Sequence, residues 1–181
     1  MRKQIIKPVL ILLALCMVVS AAISVTNFFT EAIIIAHGDE KITHNIALLL
    51  PATIETIETE CDAFTYYDCM GADGELLGRA YLINAKGYGG PISLMVGIKS
   101  DGILAGISIL SSSETPGLGK KAENAEFLGQ FINKDVDAFS VVKGMMNAND
   151  QISAISGATI STKAITDAIN TVLAHFNGGE Q

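Results

Sequence analysis

The sequence predicts an α+β protein, with one N-terminal transmembrane helix followed by a small antiparallel sheet packed with helices. Three observations lead to this prediction. Residues 8–30 carry no charged side chain, and residues 63–110 are rich in β-branched and aliphatic side chains. Apolar residues then recur at helical spacing from Ile160 to Phe176.

The uncharged run Pro8–Thr30 follows three basic residues within the first seven. Its 23 residues would extend roughly 34 Å as a helix, enough to cross the core of a bilayer. The alternative is a signal peptide cleaved near Ser20-Ala21-Ala22, but the apolar run continues beyond what a signal core requires. We therefore expect residues 1–30 to form a cytoplasmic N-terminus and an uncleaved membrane anchor, with everything after them outside the cytoplasm.

The charge of the chain argues against a nucleic-acid partner, since the net charge is −7 and no basic patch is present. Cys16 lies within the apolar run and is interpreted as an apolar residue of that helix. Cys61 and Cys69 could form a disulfide in an exported domain, although we favour two buried free thiols. Neither the cysteines nor the three histidines have metal-ligand spacing, so no metal site is expected.

The remaining chain divides into a membrane-proximal helical segment at residues 31–60 and an extracytoplasmic domain at residues 61–181. Pro51 is expected to interrupt the first segment. In the second, Asp101-Gly102 predicts a tight hairpin between two strands. The stretch KKAENAEFLGQFI predicts a short helix and FSVV a strand, and the closing helix should begin near Thr159.

Three stretches of small residues are candidates for more than a structural role. AKGYGGPI and SETPGLGKK are loops at the ends of predicted strands, and SGAT opens the closing helix. Ordinary turn chemistry explains part of the two loops, but repeated glycines also let a ligand approach the backbone. SGAT could cap the helix, and its small residues would also leave room for a phosphate at the helix N-terminus.

These motifs, in this order behind one membrane anchor, closely resemble those of the FMN-binding G subunit of the Rnf electron-transport complex. The chain is also similar to the C subunit of the sodium-translocating NADH:quinone reductase. The resemblance implies covalent FMN, joined by a phosphoester to the threonine that closes SGAT, which is Thr159 here. It also implies a flavin site made from the two loops and the helix start. The expected cofactor-binding residues are Thr159, Ser156, Gly157, Ala158, Tyr88, Gly89, Gly90, Glu114, Thr115, Gly117 and Leu118.

One position departs from the family pattern. Modified sites usually have an acidic residue three positions before the serine of SGAT, where this chain has Ser153. That acid is thought to guide the flavin transferase, so its replacement puts efficient attachment in doubt. Ser161 and Thr162 are alternative hydroxyls, but their place inside the helix leaves less room for a transferase.

The function implied by the resemblance is a redox subunit that relays electrons within an inner-membrane complex. The family couples electron flow from reduced ferredoxin to NAD with the export of sodium ions or protons, so other Rnf subunits are the expected partners. A flavin- or ligand-binding module without electron transfer is the alternative, together with the C subunit of the quinone reductase. A pilin-like subunit is disfavoured because the apolar run lacks an early glutamate. No pattern of paired carboxylates or nucleophile and base indicates a hydrolase.

Overall fold

The computed structural model describes residues 12–13, 15–20, 24 and 40–178. The chain divides into two compact units, Met1–Lys41 and Ile42–Gln181. Within the first unit, residues 12–13, 15–20 and 24 are helical. Most of the predicted membrane span lies outside the described residues, and no helix among those described is both long and apolar enough to cross a membrane.

The second unit is built on a five-stranded antiparallel sheet whose strands lie in chain order. Helix α1 is described over residues 40–49. The five strands are β1 (Glu55–Glu60), β2 (Phe64–Met70), β3 (Leu76–Lys86), β4 (Pro91–Lys99) and β5 (Leu104–Ser112).

The chain after the sheet contributes short helices, two short strands and one long helix. Two 3-10 turns, Gly119–Glu123 and Gly129–Phe131, flank helix α2 (Ala125–Leu128). Strands β6 (Ser140–Val142) and β7 (Gln151–Ser153) pair in parallel, and helix α3 spans Thr159–Gly178. The α+β class and the antiparallel sheet are therefore confirmed.

Side chains alternate between the two faces of the sheet along each strand. Each face contributes residues to a buried cluster. On one face, Tyr81, Leu94 and Val96 belong to the core cluster that includes Ile165 and Ile169 of α3. On the opposite face, a smaller cluster joins residues of α1 to the sheet. Its buried members are Ile46, Leu50, Tyr67, Cys69, Ala80 and Met95.

Helix α1 approaches the sheet closely over a pair of glycines. Gly97 of β4 lies opposite Gly106 of β5, and a Cβ on Gly97 would lie 2.9 Å from the Cβ of Leu49. Contacts between real side chains are longer than this, so the glycine is needed for the helix to pack here. The helix stops at Leu49, and Thr53 Oγ1 then donates a hydrogen bond to the carbonyl of Leu50 at 2.8 Å.

Several local predictions are confirmed. The helical segment is interrupted just before Pro51, and α3 begins at Thr159. The Asp101-Gly102 hairpin joins β4 to β5, with Gly102 at φ 87° and the Asp101 carboxylate accepting the Ile103 N–H at 3.1 Å. A positive φ at this position is the reason that the turn requires glycine.

Other expectations were wrong. Residues 31–60 are not helical throughout, because Glu55–Glu60 form β1 at the edge of the sheet. The predicted helix from Lys120 to Ile132 is divided into a four-residue α2 and two 3-10 turns. Cys61 and Cys69 are both free, as we favoured, but Cys61 is exposed and only Cys69 is buried. Burial raises the pKa of the Cys69 thiol.

His175 packs among aromatic rings near the end of α3. Its Nδ1 lies 3.2 Å from the hydroxyl of Tyr81, which is fully buried. Its ring also lies edge-on to Phe64, with 4.8 Å between ring centroids. Burial raises the pKa of Tyr81 to about 12.

Candidate functional site

The two glycine-rich loops lie at the same end of the sheet. Strands β3 and β4 end in the pair Lys86↔Pro91, and Gly87–Gly90 form the tight turn between them. Strand β5 ends nearby, because Ser112 pairs with Ile92. The loop that begins at Ser113 therefore starts beside the hairpin turn.

Glu114 connects these two loops. Its side chain is buried, and its Oε1 accepts a hydrogen bond from the Gly89 N–H at 3.0 Å. A Cβ on Gly87 or on Gly119 would overlap the oxygens of the same carboxylate. Two glycines, one in each loop, are thus required by the space that one glutamate occupies.

The start of α3 completes the site. Gly157 has φ 78°, a backbone conformation that residues other than glycine rarely adopt. A Cβ there would lie 3.0 Å from Cδ2 of Leu118, so Gly157 also lets the second loop approach the helix start. Ala158 is buried, and Thr159, the first residue of α3, is partly exposed.

A half-open cavity of about 310 Å³ lies where the loops and the helix start meet. This volume is at the lower end of the range typical of small-molecule sites. Tyr88 is 76% exposed, Leu118 45% and Ile160 59%, so they form an open apolar rim. The residues that line the cavity are Tyr88, Glu114, Thr115, Leu118, Gly119, Gly157, Ala158, Thr159, Ile160 and Ser161.

The structure brings together most of the predicted site residues, but not all of them. Gly89 and Gly90 line a neighbouring groove around the hairpin turn instead. Gly117 has φ 79° and shapes the second loop without lining the cavity. Ser156 lines a separate cavity of about 370 Å³, which also includes Ser153.

Three lining residues, Gly119, Ile160 and Ser161, are not among the predicted cofactor-binding residues, although Ser161 was considered as an alternative hydroxyl for attachment. Gly119 looked like part of a turn in the sequence, and its role depends on Glu114 five residues earlier. Ile160 was assigned to the apolar face of the closing helix, but its side chain is 59% exposed. The sequence signal for this position was an apolar residue directly after Thr159, in the first turn of the helix.

The three hydroxyls at the helix start differ in accessibility. Thr159 is partly exposed, whereas Ser161 is 1% and Thr162 0% exposed. Thr162 is also fully engaged, since its Oγ1 donates to the Ala158 carbonyl at 3.0 Å and accepts the Ile155 N–H at 3.1 Å. Of the three, Thr159 is the only one that is partly exposed to solvent, whereas Ser161 contributes to the cavity wall from a buried position.

Among the described residues, no group of three His, Cys, Asp or Glu side chains is placed to hold a metal ion. The site instead combines small backbone positions, one hydroxyl at a helix start and an apolar rim. This combination suits a flat organic molecule that carries an anionic group.

Sequence comparison identifies the class of domain. A profile of the FMN-binding domain matches residues 87–174, a segment that contains both loops and most of α3. The fold agrees, because the crystal structure of NqrC from Shewanella oneidensis superposes with a TM-score of 0.54 at 21% identity, over 67% of this chain and 66% of that one. The C subunit of the Na⁺-translocating NADH-quinone reductase from Parabacteroides distasonis gives the same TM-score and identity, over 67% of this chain and 75% of that one.

A full-length relative gives the family. The chain is 30% identical to the G subunit of the ion-translocating oxidoreductase complex of Methanosarcina acetivorans, over 98% of this chain and 97% of that protein. The chain therefore belongs to the family of G subunits of ion-translocating oxidoreductase complexes. It is also 43% identical to the G subunit of the proton-translocating ferredoxin:NAD⁺ oxidoreductase complex of Clostridium ljungdahlii, although that match spans 56% of this chain and only 57% of the relative.

Proposed function

We propose that this protein is an electron-relay subunit of an ion-translocating ferredoxin:NAD oxidoreductase complex and carries FMN on Thr159 through a phosphoester. One observation carries the proposal. Thr159 is the accessible hydroxyl at the start of a 20-residue helix, and it opens into the cavity that the two glycine-rich loops line. We infer the reaction from the names of two relatives, which are subunits of complexes that pass electrons between ferredoxin and NAD.

The residues of the cavity fit FMN. A helix N-terminus carries a partial positive charge and N–H groups without partners, so it favours the phosphate. No acidic residue lies in the first turn of α3 to oppose it. Gly157 and Ala158 line the cavity beside Thr159, and neither has a side chain larger than a methyl group to block a ligand.

The rim suits the ring system of a flavin. Tyr88 presents an exposed aromatic ring on a short hairpin, where it can stack on a flat ligand. Leu118 and Ile160 add apolar contacts on the other loop and on the helix. Since all three are exposed, a ring bound among them keeps an open edge toward a neighbouring protein.

The redox chemistry would come from the cofactor, because a flavin holds one electron or two. The chain supplies position and access. The open rim allows a redox centre of a partner protein to come close, which electron transfer requires. We infer that other subunits of the complex cover this edge in the assembly.

Covalent attachment can be tested on a denaturing gel. The full chain, co-produced with a flavin transferase, should give a band with flavin fluorescence under illumination. Thr159→Ala should abolish the band, whereas Ser161→Ala and Thr162→Ala should retain it. A fluorescent Thr159→Ala band would show that the flavin is attached elsewhere.

The proposal places the FMN-binding domain outside the cytoplasm, anchored by a single N-terminal helix in the inner membrane. The support is the basic start of the chain before an uncharged run. A membrane-impermeant protease added to cells with an opened outer layer should then digest the domain. Protection until the inner membrane is broken would contradict this topology.

A further inference from the structure

Ser161 is an exception among the buried polar groups of the protein. Its Oγ is the one buried side-chain nitrogen or oxygen among the described residues that has no hydrogen-bond partner. The residue is 1% exposed, yet it lines the same cavity as Thr159. Native structures leave few buried hydroxyls without a partner, so this one requires an explanation.

Other hydroxyls of α3 take a backbone carbonyl as their hydrogen-bond partner. Thr162, Thr166 and Thr171 each donate to the carbonyl four residues earlier, at 2.9 to 3.0 Å. This is the usual arrangement for a hydroxyl within a helix. For Ser161 the carbonyl four residues earlier is that of Gly157, which precedes α3 and has φ 78°, and Ser161 makes no bond to it. Its hydroxyl is therefore left available to a ligand.

The position of Ser161 indicates what kind of ligand this is. It is the third residue of α3, and side chains of a helix tilt toward its N-terminus. The N–H groups of the first turn have no carbonyl four residues earlier to pair with, and they point in the same direction. A hydroxyl donor among such N–H groups makes a site for an anion. A phosphate group has enough acceptor oxygens to bond the hydroxyl and the N–H groups at the same time.

We propose that Ser161 Oγ donates a hydrogen bond to the phosphate of FMN, as part of a phosphate site that is already formed in the protein without cofactor. This inference rests on the proposed function, since it takes FMN as the ligand. Its consequence is that the chain without attached flavin binds FMN noncovalently through this phosphate site. The phosphoester itself forms in a separate step, in which the Thr159 hydroxyl displaces the leaving group of an activated flavin phosphate ester used by the transferase. Ser161 is then a positioning residue, which holds the phosphate beside the hydroxyl of Thr159.

The test compares ligands with and without a phosphate. The full chain is prepared in detergent from cells that lack a flavin transferase, and FMN and riboflavin are titrated while flavin fluorescence is followed. Inorganic phosphate is added in parallel and the thermal unfolding midpoint is measured. The unmodified chain should bind FMN more tightly than riboflavin, and phosphate should raise the midpoint.

Ser161→Ala should weaken FMN binding about tenfold, the effect expected for losing a hydrogen bond to a charged group, and leave riboflavin binding unchanged. It should also remove most of the response to inorganic phosphate. Thr171→Ala is the matched control, because that hydroxyl lies on the exposed part of the same helix and already has a partner. Ser161→Cys, with similar shape and a weaker donor, should give an intermediate loss.

Two results would overturn the proposal. One is equal FMN affinity in the Ser161→Ala variant and the unmodified chain, or in the Ser161→Cys variant if the alanine variant does not fold. The other is equal binding of FMN and riboflavin by the unmodified chain, which would mean that no phosphate site exists before attachment. Neither result affects the fluorescent band that depends on Thr159, so the two proposals can fail separately.

Discussion

Glu114 holds the two loops of the cavity together with a single side chain. Its carboxylate accepts the Gly89 N–H at 3.0 Å and occupies the space next to Gly87 and Gly119. The sequence identified the glycines and the glutamate separately, as parts of two turns. That the glycines make room for this carboxylate depends on a contact between loops 25 residues apart, which a local pattern cannot reveal.

Replacing Glu114 by alanine should therefore loosen the Gly87–Gly90 turn. We expect the loss of one hydrogen bond to cost about 1 kcal/mol, which corresponds to about fivefold faster hydrogen exchange at the Gly89 amide. Glu114→Gln keeps an acceptor oxygen and should preserve the protection, and Glu123→Ala, at an exposed position, is the control. Unchanged exchange at Gly89 in Glu114→Ala would show that the turn holds its shape without the carboxylate.

Tyr81 is expected to make the domain less stable as the pH becomes alkaline. Burial raises the pKa of its hydroxyl from an ordinary value of 10 to about 12 in the folded protein. Above pH 10 the unfolded chain releases this proton while the folded protein still holds it, so unfolding becomes more favourable as the pH rises. The contribution of Tyr81 is complete below pH 10 and is lost as the pH rises toward 12.

Denaturant unfolding across this pH range measures the effect. The free energy of unfolding should fall more steeply between pH 10 and 12 in the unmodified chain than in Tyr81→Phe. The variant should also lose about 1 kcal/mol at neutral pH, because His175 loses its hydrogen-bond partner. Tyr88→Phe, with a ring that is 76% exposed, should leave the pH dependence unchanged. Equal slopes in the unmodified chain and Tyr81→Phe would contradict this account.

Among the elements, α1 depends on the glycines beneath it. A methyl group on Gly97 would meet the Cβ of Leu49 at 2.9 Å, so α1 must move away from the sheet or distort it. Gly97→Ala should lower the free energy of unfolding by about 1–3 kcal/mol, as overpacking in a core does. Gly129→Ala is the control, since a Cβ there meets nothing within 4 Å. Stability equal to that of the control would show that α1 does not pack as described.

The elements also show which parts of the fold the sequence could predict. The Asp101-Gly102 hairpin and the start of α3 depend on a few adjacent residues, and both were predicted correctly. The predicted helical segment 31–60 included strand β1, whose sequence ETIETE carries three glutamates and which lies at a sheet edge. It is a strand because its backbone pairs with that of β2, and the Tyr67 hydroxyl also donates a hydrogen bond to the Glu58 carboxylate at 3.1 Å. Strands β6 and β7 have three residues each, too few to give a period.

The site follows the same division. Tyr88, Thr115 and Leu118 line the same cavity because they lie in loops that end neighbouring strands, an arrangement that the sequence pattern indicates. Ser156 was taken as part of the site with the rest of SGAT, but the reversal of the backbone at Gly157, with φ 78°, leaves it in the neighbouring cavity. Side-chain direction at a turn depends on its dihedral angles, and the sequence does not specify these.

For the whole molecule, the family membership and the cavity support one account. In the account that we propose, the half-open cavity formed by two loops and a helix start holds FMN at Thr159, and its exposed apolar rim faces a partner protein. At the position where the family pattern has an acidic residue, Ser153 lines the neighbouring cavity and not that of Thr159. Ser153 Oγ donates to the carbonyl of Gly144 at 2.9 Å, away from Thr159.

Mass spectrometry of proteolytic peptides tests this account most directly. The full chain is isolated with its flavin transferase present, and the peptide that contains Thr159 is fragmented. We predict that this peptide carries the added mass of one FMN less one water, with the fragments assigning the addition to Thr159. Its absence from fully flavin-loaded protein, or its assignment to another residue such as Ser156, would contradict the central claim.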